Sequence, residues 1–392
     1  MNFIQQHFKV NFEYKVIFTE GLFNPANQTF KNILRDDQKP GHLKKILFVI
    51  DHHLIECFPA LDAQIDQYFE DNGIVKLIKE KVIVEGGEIA KNDPQYLNKI
   101  IEAVNNHGID RHSYIVAIGG GSVLDLAGYA AAIAHRGIKI IRIPTTVLSQ
   151  NDSGVGVKNG VNYNGKKNFL GTFAPPFTVF NDYDFLTTLS NRDWRAGISE
   201  AIKVALIKDK DFFYWLEEHA ENLLSRKKED MQYLIKRCAE LHMEHIGGGD
   251  PFEFGSSRPL DFGHWSAHKL EQLSNFEILH GEAVSMGIAL DSLYSGLSGV
   301  LSQAEADRII RLLLKLRLPV THPLINLDRP DHPIFLGLQE FQEHLGGELT
   351  IMLLEKIGLG YEVHHLDIEL LMKASQVLQN LTESDLKPSI SC

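Results

Sequence analysis

Short apolar runs alternate with helix-length stretches along the first half of the chain. Four of these runs are KILFVID ending at Asp51, KVIVE ending at Glu85, YIVAIGGG ending at Gly121 and IKIIRIPTT ending at Thr146. Such strands, separated by helices, are typical of a parallel sheet covered on both faces. Before them, apolar and polar residues alternate from Phe8 to Phe18, and this period of two predicts a half-buried strand.

Helical periodicity dominates after about residue 186. The segments DWRAGISEAIKVALIK, EDMQYLIKRCAELHMEH, GEAVSMGIALDSLYSG and QAEADRIIRLLLKLR carry broad apolar stripes. We therefore place a domain boundary near residues 185–190. A chain of 392 residues is long enough for two such domains.

Composition and charge exclude several classes of partner. Lys and Arg total 39 against 51 Asp and Glu, a net charge of −12 that argues against nucleic acid and anionic membranes as partners. The 3 cysteines, Cys57, Cys238 and Cys392, lie far apart and predict neither disulfides nor a cysteine metal cluster. With no apolar run of about 18 residues and no leader pattern, we expect a cytoplasmic protein.

A glycine-rich turn is the first candidate site. Gly119, Gly120 and Gly121 follow a buried strand and precede a helix, so backbone amides can approach a phosphate there. Thr145 and Thr146 follow the next strand, and Asp51 closes an earlier one. At one sheet edge these residues would form a crevice for a dinucleotide. The motif is not GxGxxG, so a purely structural turn, with Asp51 as a helix cap, remains open.

Histidines suggest a metal site. His264 and His268 share one helical face, His280 opens another helix, and Glu200 lies on a third. A glutamate and two histidines satisfy a catalytic zinc. With 18 histidines in the chain, about one pair at this spacing is expected by chance, so ordinary core histidines remain an alternative.

A cationic segment follows the second turn. Lys158, Lys166 and Lys167 precede Asn168 in a stretch rich in Gly and Asn, and Arg136 ends the helix after the glycine turn. Cations on loops beside a nucleotide crevice suggest an anionic small substrate. An exposed, solvated loop is the other interpretation.

Taken together, GGGSVLDLAGY, PTTVLSQNDSGVGVK, NGKKN, GISEAIKVALIK, LDFGHWSAHKLE and LHGEAVSMG resemble the 3-dehydroquinate synthase family of sugar-phosphate cyclases. The motifs occur in order between residues 51 and about 290. The resemblance implies an α/β plus α fold, with a Rossmann-like, parallel-sheet NAD-binding domain at residues 1–186. An all-helical metal- and substrate-binding domain would occupy residues 187–392.

The resemblance also implies a set of site residues. The metal, zinc or cobalt, would be held by Glu200, His264 and His280. NAD would be bound by Asp51, Glu88, Lys91, Gly119, Gly120, Gly121, Asp125, Thr145, Thr146 and Lys167. The substrate would contact Asp152, Lys158, Asn168, Lys203, Arg258, Asp261 and His268. Arg136 would reach the substrate phosphate of a neighbouring subunit, which implies a homodimer.

The family chemistry explains these residue types. The resemblance implies a lyase that transiently oxidises a sugar phosphate, eliminates phosphate, reduces the product and closes a carbocycle by an aldol step. NAD is regenerated in each turnover, and cations hold the leaving phosphate. We expect Arg136, Lys158, Lys167, Lys203 and Arg258 to form one phosphate pocket inside the acidic protein.

Several positions depart from enzymes that act on DAHP, the carboxylated substrate of 3-dehydroquinate synthases. Asp261 replaces an Asn, Met243-Glu244-His245 replaces an expected lysine, and Gln342 or Glu343 replaces another. An ionised Asp261 would repel a substrate carboxylate. RPLDFGH is similar to cyclases that act on sedoheptulose 7-phosphate, of the 2-epi-5-epi-valiolone synthase type, whereas His268 is similar to 3-dehydroquinate synthases.

We therefore favour a sedoheptulose 7-phosphate cyclase, with 3-dehydroquinate synthase as the alternative. The glycine turn, the Pro-Thr-Thr turn and the two-domain plan also resemble metal-dependent glycerol dehydrogenases. Many of these use a ligand four residues after the first one, where this chain has Val204. The NGKKN segment also has no function in a simple alcohol dehydrogenase.

Overall fold

The computed structural model describes residues 2–38, 41–70, 73–252, 259–344 and 347–385. Its first half is built on a seven-stranded sheet whose paired strands run parallel. In chain order the strands are β1 (Lys15–Thr19), β2 (Lys45–Asp51), β3 (Lys76–Leu77), β4 (Val82–Val84), β5 (Tyr114–Gly119), β6 (Lys139–Pro144), β7 (Lys158–Tyr163), β8 (Lys166–Phe173), β9 (Thr178–Asp182), β10 (Ile351–Lys356) and β11 (Leu359–Val363).

The large sheet has the order β1-β9-β6-β5-β2-β3, and β4 also pairs with β2. Its central strands are buried on both faces, as their uninterrupted apolar sequences predict. Alternate residues enter different cores: Phe48 packs with Tyr68 on one face, whereas Val49 packs with Ile100 on the other. The carboxyl ends of β2, β5 and β6 therefore lie together at one edge.

The helices cover the sheet and then form the second half of the molecule. They are α1 (Thr29–Asp36), α2 (His52–Cys57), α3 (Leu61–Phe69), α4 (Ile89–Asn92), α5 (Pro94–Asn106), α6 (Gly121–Ile133), α7 (Asn191–Ala196), α8 (Ile198–Lys208), α9 (Lys210–Leu224), α10 (Lys228–Gly247), α11 (His264–Leu273), α12 (His280–Leu297), α13 (Gln303–Lys315), α14 (Leu336–His344) and α15 (Ile368–Asp385). The predicted fold class, a parallel-sheet part followed by a helical part, is confirmed. The helical part also contains one antiparallel hairpin, β10–β11.

The predicted N-terminal strand is shorter than its alternating pattern. Only Lys15–Thr19 joins the sheet, and Phe8 and Val10 are 85% and 61% exposed. The neighbouring strand β9 begins at Thr178, opposite Lys15, so residues before Lys15 have no partner there. Alternation of apolar residues is thus insufficient to form a strand without a neighbour to pair with.

The cationic segment predicted to be a loop is largely a β-hairpin. A π-helical turn (Ser149–Ser153) precedes β7, and β7 pairs antiparallel with β8. Asn164 and Gly165 connect the strands with φ values of 49° and 74°. An Asn-Gly pair adopts these positive values readily and favours the two-residue hairpin turn. The Asn-Gly pair was thus a specific signal for a hairpin, whereas the high Gly and Asn content of the whole segment predicts only a loop.

No helix among the described residues is long and apolar enough to cross a membrane. The division into domains at residues 186 and 187 stays a prediction. The last strand of the large sheet ends at Asp182 and the first helix of the second half begins at Asn191.

Candidate functional site

The sheet edge brings Asp51 and the glycine turn into contact. A Cβ atom on Gly119 would lie 3.2 Å from the Cβ of Asp51, and one on Gly86 would lie 2.6 Å from its Oδ2. The Asp51 carboxylate also accepts a hydrogen bond from the His53 amide at 3.0 Å, so it caps α2 as well. Burial raises the pKa of Asp51. Only glycines fit this closely around the carboxylate.

The glycine turn presents the N-terminus of α6 without a side-chain cap. Gly120 precedes the first helical residue, Gly121, and as a glycine it provides no side chain to cap the helix. The Thr145 amide donates to the Gly119 carbonyl at 3.0 Å, which joins the two predicted turns. Uncapped amides and the helix dipole favour an anion at this point. The arrangement fits a dinucleotide phosphate.

Glu88, Lys91 and Asp125, which the resemblance assigned to NAD, lie against hairpin β7–β8. Lys91 Nζ is 3.0 Å from Asp125 Oδ2 and also donates to Asn168 Oδ1. The side-chain Nδ2 of Asn162 donates to Glu88 Oε2 at 2.8 Å. Asn168, which we expected at the substrate, thus shares the Lys91 cluster of the cofactor side.

Three helices bring Glu200, His264 and His280 together. His280 Nε2 lies 3.4 Å and His264 Nε2 3.7 Å from Oε1 of Glu200. The start of α12 lies very close to the end of α7, since a Cβ on Gly281 of α12 would be only 1.9 Å from the Ala196 carbonyl oxygen. This close packing permits the approach of His280 to Glu200. The predicted metal ligands are therefore neighbours.

A second crossing places α11 against α12. A Cβ on Gly287 would lie 1.9 Å from the Gly263 carbonyl oxygen, and Gly263 itself has a φ of 75°. Asp291 accepts hydrogen bonds from the Gly263 amide at 3.1 Å and from Trp265 Nε1 at 3.0 Å. Burial raises the pKa of Asp291 to about 7. Asp291 thus fixes the start of the helix that carries His264.

The hydrogen bonds of the two histidines suit a metal. His264 Nδ1 lies 3.1 Å from the Phe262 carbonyl oxygen, and His280 Nδ1 lies 2.9 Å from Glu271 Oε2. Both partners are acceptors, so each Nδ1 carries the proton and each Nε2 is left to bind an ion. Oε1 of the fully buried Glu200, the oxygen nearest both histidines, has no hydrogen-bond partner among the described residues, whereas Oε2 pairs with Lys203. This donor set fits zinc or a similar divalent ion.

The charges around Glu200 and His280 set the protonation of these two side chains. Burial would raise the pKa of Glu200, but the nearby Lys203 ammonium, 2.5 Å from Oε2, holds it well below its usual range. Burial would lower the pKa of His280, but the negative charge of Glu271 raises it to about 9. Burial and the Lys203 charge hold the pKa of His264 well below its usual range, so His264 stays neutral beside the anionic Glu200.

His268 belongs to the same cluster. Its ring centroid lies 5.3 Å from that of His264 and 5.8 Å from that of His280. The ligand atoms of the three histidines lie within 4.8 Å of one another. Burial holds the pKa of His268 well below its usual range.

Lys203 and Asp152, both predicted at the substrate, form one ion pair beside this cluster. Lys203 Nζ lies 3.6 Å from Asp152 Oδ2. On the other side of Asp152, Oδ1 lies 3.4 Å from Nδ1 of the buried His242, and burial lowers the pKa of that histidine. His242 directly precedes Met243-Glu244-His245, the residues that replace the lysine expected from the resemblance to 3-dehydroquinate synthases, and it contacts Asp152.

Sequence reasoning missed Glu271 and Arg142. Glu271 is 1% exposed and bonded to His280, and it follows His264 by seven residues on the same helical face. That spacing was a usable signal. Arg142 is fully buried in β6, and a charge within an apolar run predicts a paired group.

Of the remaining predicted residues, those that the structure describes are exposed or partly buried. Lys158 and Arg136 are exposed, and Arg136 lies past the far end of α6. Asp261 is partly buried in the turn before α11. Arg258 lies outside the described residues.

The chain is similar to known proteins over much of its length. The family model for the 3-dehydroquinate synthase N-terminal region matches residues 81–196, and that for the C-terminal region matches residues 197–334. The 3-dehydroquinate synthase of Nitrosospira multiformis is 36% identical over 295 residues, which is 75% of this chain and 79% of the relative.

Two further relatives are cyclases with another product. A 2-epi-5-epi-valiolone synthase of an Actinomyces species is 31% identical over 381 residues, 94% of this chain and 95% of the relative. ValA, the 2-epi-5-epi-valiolone synthase of Streptomyces hygroscopicus subsp. jinggangensis 5008, was solved with NAD+ and Zn2+ bound. It matches with a TM-score of 0.86 at 28% identity, covering 96% of this chain and 100% of ValA.

Proposed function

The chain belongs to the 3-dehydroquinate synthase family, and we propose that it is a sugar-phosphate cyclase whose substrate is sedoheptulose 7-phosphate. It uses NAD and a divalent metal, zinc or cobalt, and it acts as a lyase that releases phosphate and closes a carbocycle. The fit of the donor set supports the metal, and the uncapped glycine turn supports the nucleotide.

Asp261 is the observation that carries the choice of substrate. Burial would lower the pKa of Lys203, and the negative charge of Asp261 is among those that raise it instead. Asp261 therefore acts electrostatically on the site that contains Glu200. A carboxylate there repels the carboxylate of DAHP, whereas it accepts hydrogen bonds from the hydroxymethyl group of sedoheptulose 7-phosphate.

The residues of the chain divide the work of the reaction. Glu200, His264 and His280 hold the metal, and the edge around Asp51 and the glycine turn holds NAD. When bound, NAD supplies a hydride acceptor and the metal a Lewis acid for a substrate oxygen. Lys203 keeps its positive charge beside Glu200 and Asp152, so its Nζ is available to donate a hydrogen bond to a substrate oxygen near the metal ligands.

Two observations favour 3-dehydroquinate synthase itself as a second candidate. His268 lies in the histidine cluster, as the resemblance to that enzyme implies, and the Nitrosospira relative has the higher identity over its shorter match. A glycerol dehydrogenase is less well supported, because Val204 is a buried apolar residue where many of those enzymes have a metal ligand.

The deciding experiment compares the two substrates. Purified protein with NAD+ and Zn2+ is given sedoheptulose 7-phosphate or DAHP, and phosphate release is measured. We expect kcat/KM for sedoheptulose 7-phosphate to exceed that for DAHP by about 100-fold or more, as rejection of a charged group by a partly buried carboxylate implies. Release from DAHP alone would establish the second candidate instead.

Asp261→Asn tests the residue that carries the proposal. Removing the charge relieves the repulsion of DAHP. We therefore expect the ratio of kcat/KM for sedoheptulose 7-phosphate to kcat/KM for DAHP to fall by about tenfold or more. Asp307→Asn, an exposed carboxylate on α13, serves as the matched control and leaves the ratio unchanged. An unaltered ratio in Asp261→Asn would remove Asp261 from substrate selection.

A further inference from the structure

The Glu271 carboxylate contacts the ring of His280 at Nδ1, and each of its two oxygens has a partner. Oε2 accepts from Nδ1 of His280 at 2.9 Å, and Oε1 contacts Nζ of Lys167 at 2.6 Å. The Glu271 side chain is 2% exposed and that of Lys167 is 9% exposed. Lys167 also lies 3.5 Å from Glu88 Oε1. A chain of alternating charges therefore runs from Glu88, just before α4, through Lys167 of hairpin β7–β8 to Glu271 and His280.

We propose that Glu271 is a positioning residue that fixes the tautomer and orientation of His280 for metal binding, and that Lys167 holds Glu271 in that position. The inference rests on the metal site of the proposed function but not on the choice of substrate. This role of Lys167 differs from the NAD contact that the resemblance implied.

The physical reason is the fixed polarity of each bond. A carboxylate can only accept, so the proton of His280 stays on Nδ1 and the Nε2 lone pair faces Glu200. The negative charge of Glu271 also makes Nε2 a better electron donor to a metal. Without a partner, a buried carboxylate could turn and bind the metal itself, and the Lys167 bond to Oε1 opposes that rotation.

Metal affinity of the full-length protein tests this inference. Apoprotein is titrated with Co2+, followed by its visible absorption and by competition with a chelator, in the absence of NAD and substrate. We expect Glu271→Ala to weaken binding about 10–100-fold, the usual cost of losing such a partner. Glu271→Gln retains an acceptor for Nδ1 but loses the charge, so its affinity should lie between those of Glu271→Ala and the wild type.

Lys167→Met separates the two tasks of the lysine. If it acts through Glu271, this variant weakens Co2+ binding, and its effect is not additive with that of Glu271→Gln. Loss of NAD affinity alone, with Co2+ affinity unchanged, would overturn the role assigned to Lys167. Wild-type Co2+ affinity in both folded Glu271 variants would overturn the role of Glu271.

The controls use another ion pair of the same helix. Lys269 of α11 pairs with Glu340 at 2.6 Å, and Glu340→Gln should leave Co2+ affinity unchanged. Circular dichroism of the apoproteins checks folding, and Glu271→Gln decides the question if Glu271→Ala does not fold. These measurements contain no sugar phosphate, so they stand even if sedoheptulose 7-phosphate is not the substrate.

Discussion

Arg142 lies in the middle of β6, and its fully buried side chain holds the segment that leads into β7. Its guanidinium donates to the carbonyl oxygens of Gly154 at 3.1 Å, Gly156 at 2.8 Å and Lys158 at 2.9 Å. It also donates to Asn159 Oδ1 at 2.6 Å. One side chain therefore shapes the backbone between Asp152 and hairpin β7–β8.

Arg142→Met should destabilise the protein strongly. The substitution leaves buried carbonyl oxygens unpaired, each at a cost of about 1–3 kcal/mol, so we expect a loss of at least about 3 kcal/mol. Urea-induced unfolding measures the difference. Arg142→Lys keeps the charge but offers fewer hydrogen-bond donors, so its free energy of unfolding should lie between those of the wild type and Arg142→Met. An unchanged unfolding midpoint would mean that water or other groups replace the guanidinium.

At the scale of elements, the turn between β5 and α6 forms one side of the nucleotide crevice and leaves little space at Gly120. A methyl group on Gly120 would lie 3.4 Å from Cγ2 of Thr146, which is a tolerable contact. The backbone of Gly120, with φ of −71° and ψ of 175°, also suits alanine. Folding should therefore survive this substitution, but the methyl group stands between the two turns that form the crevice.

Gly120→Ala should consequently weaken NAD binding with little effect on stability. We expect the Kd for NAD+ to rise about tenfold or more, equivalent to about 1.4 kcal/mol, in a calorimetric titration. Gly156→Ala is the matched control, because a Cβ there meets nothing within 4 Å. Equal NAD+ affinity in both variants would show that the nucleotide does not approach Gly120.

Sequence reasoning succeeded where local pattern and packing agree. β2 occupies the whole predicted run KILFVID, because strands buried on both faces need uninterrupted apolar residues. The predicted ligands Glu200, His264 and His280 do meet, as motifs of the family implied. The pairing of Lys167 with Glu271 could not be predicted, because it joins residues 104 positions apart through tertiary contacts alone.

At the scale of the whole molecule, the predicted phosphate pocket must be revised. Lys167 and Lys203 are both buried and paired with carboxylates, Glu271 and Glu200 respectively, so their charges are already compensated. Because the protein carries a net charge of −12, its exposed cations become more important for attracting a phosphate. Arg136 is exposed and is one such cation.

Arg136 cannot reach the crevice of its own chain. Helix α6 starts at the glycine turn and runs for 13 residues before Arg136, a distance of about 20 Å. A phosphate in the crevice would therefore meet Arg136 only from a second copy of the chain. The homodimer that the family resemblance implied, in which each subunit completes the site of the other, stays a prediction.

Mixing two inactive variants tests the shared site. Arg136→Ala and Glu200→Gln homodimers should each lose most activity, because one lacks the phosphate contact and the other a metal ligand. In a mixed dimer, the Arg136→Ala subunit keeps its own Glu200 and receives Arg136 from the partner, so one of the two sites is intact. Random mixing should restore about a quarter of wild-type phosphate release. If Arg136 served its own subunit, both sites of the mixed dimer would remain defective, and co-expression would restore nothing.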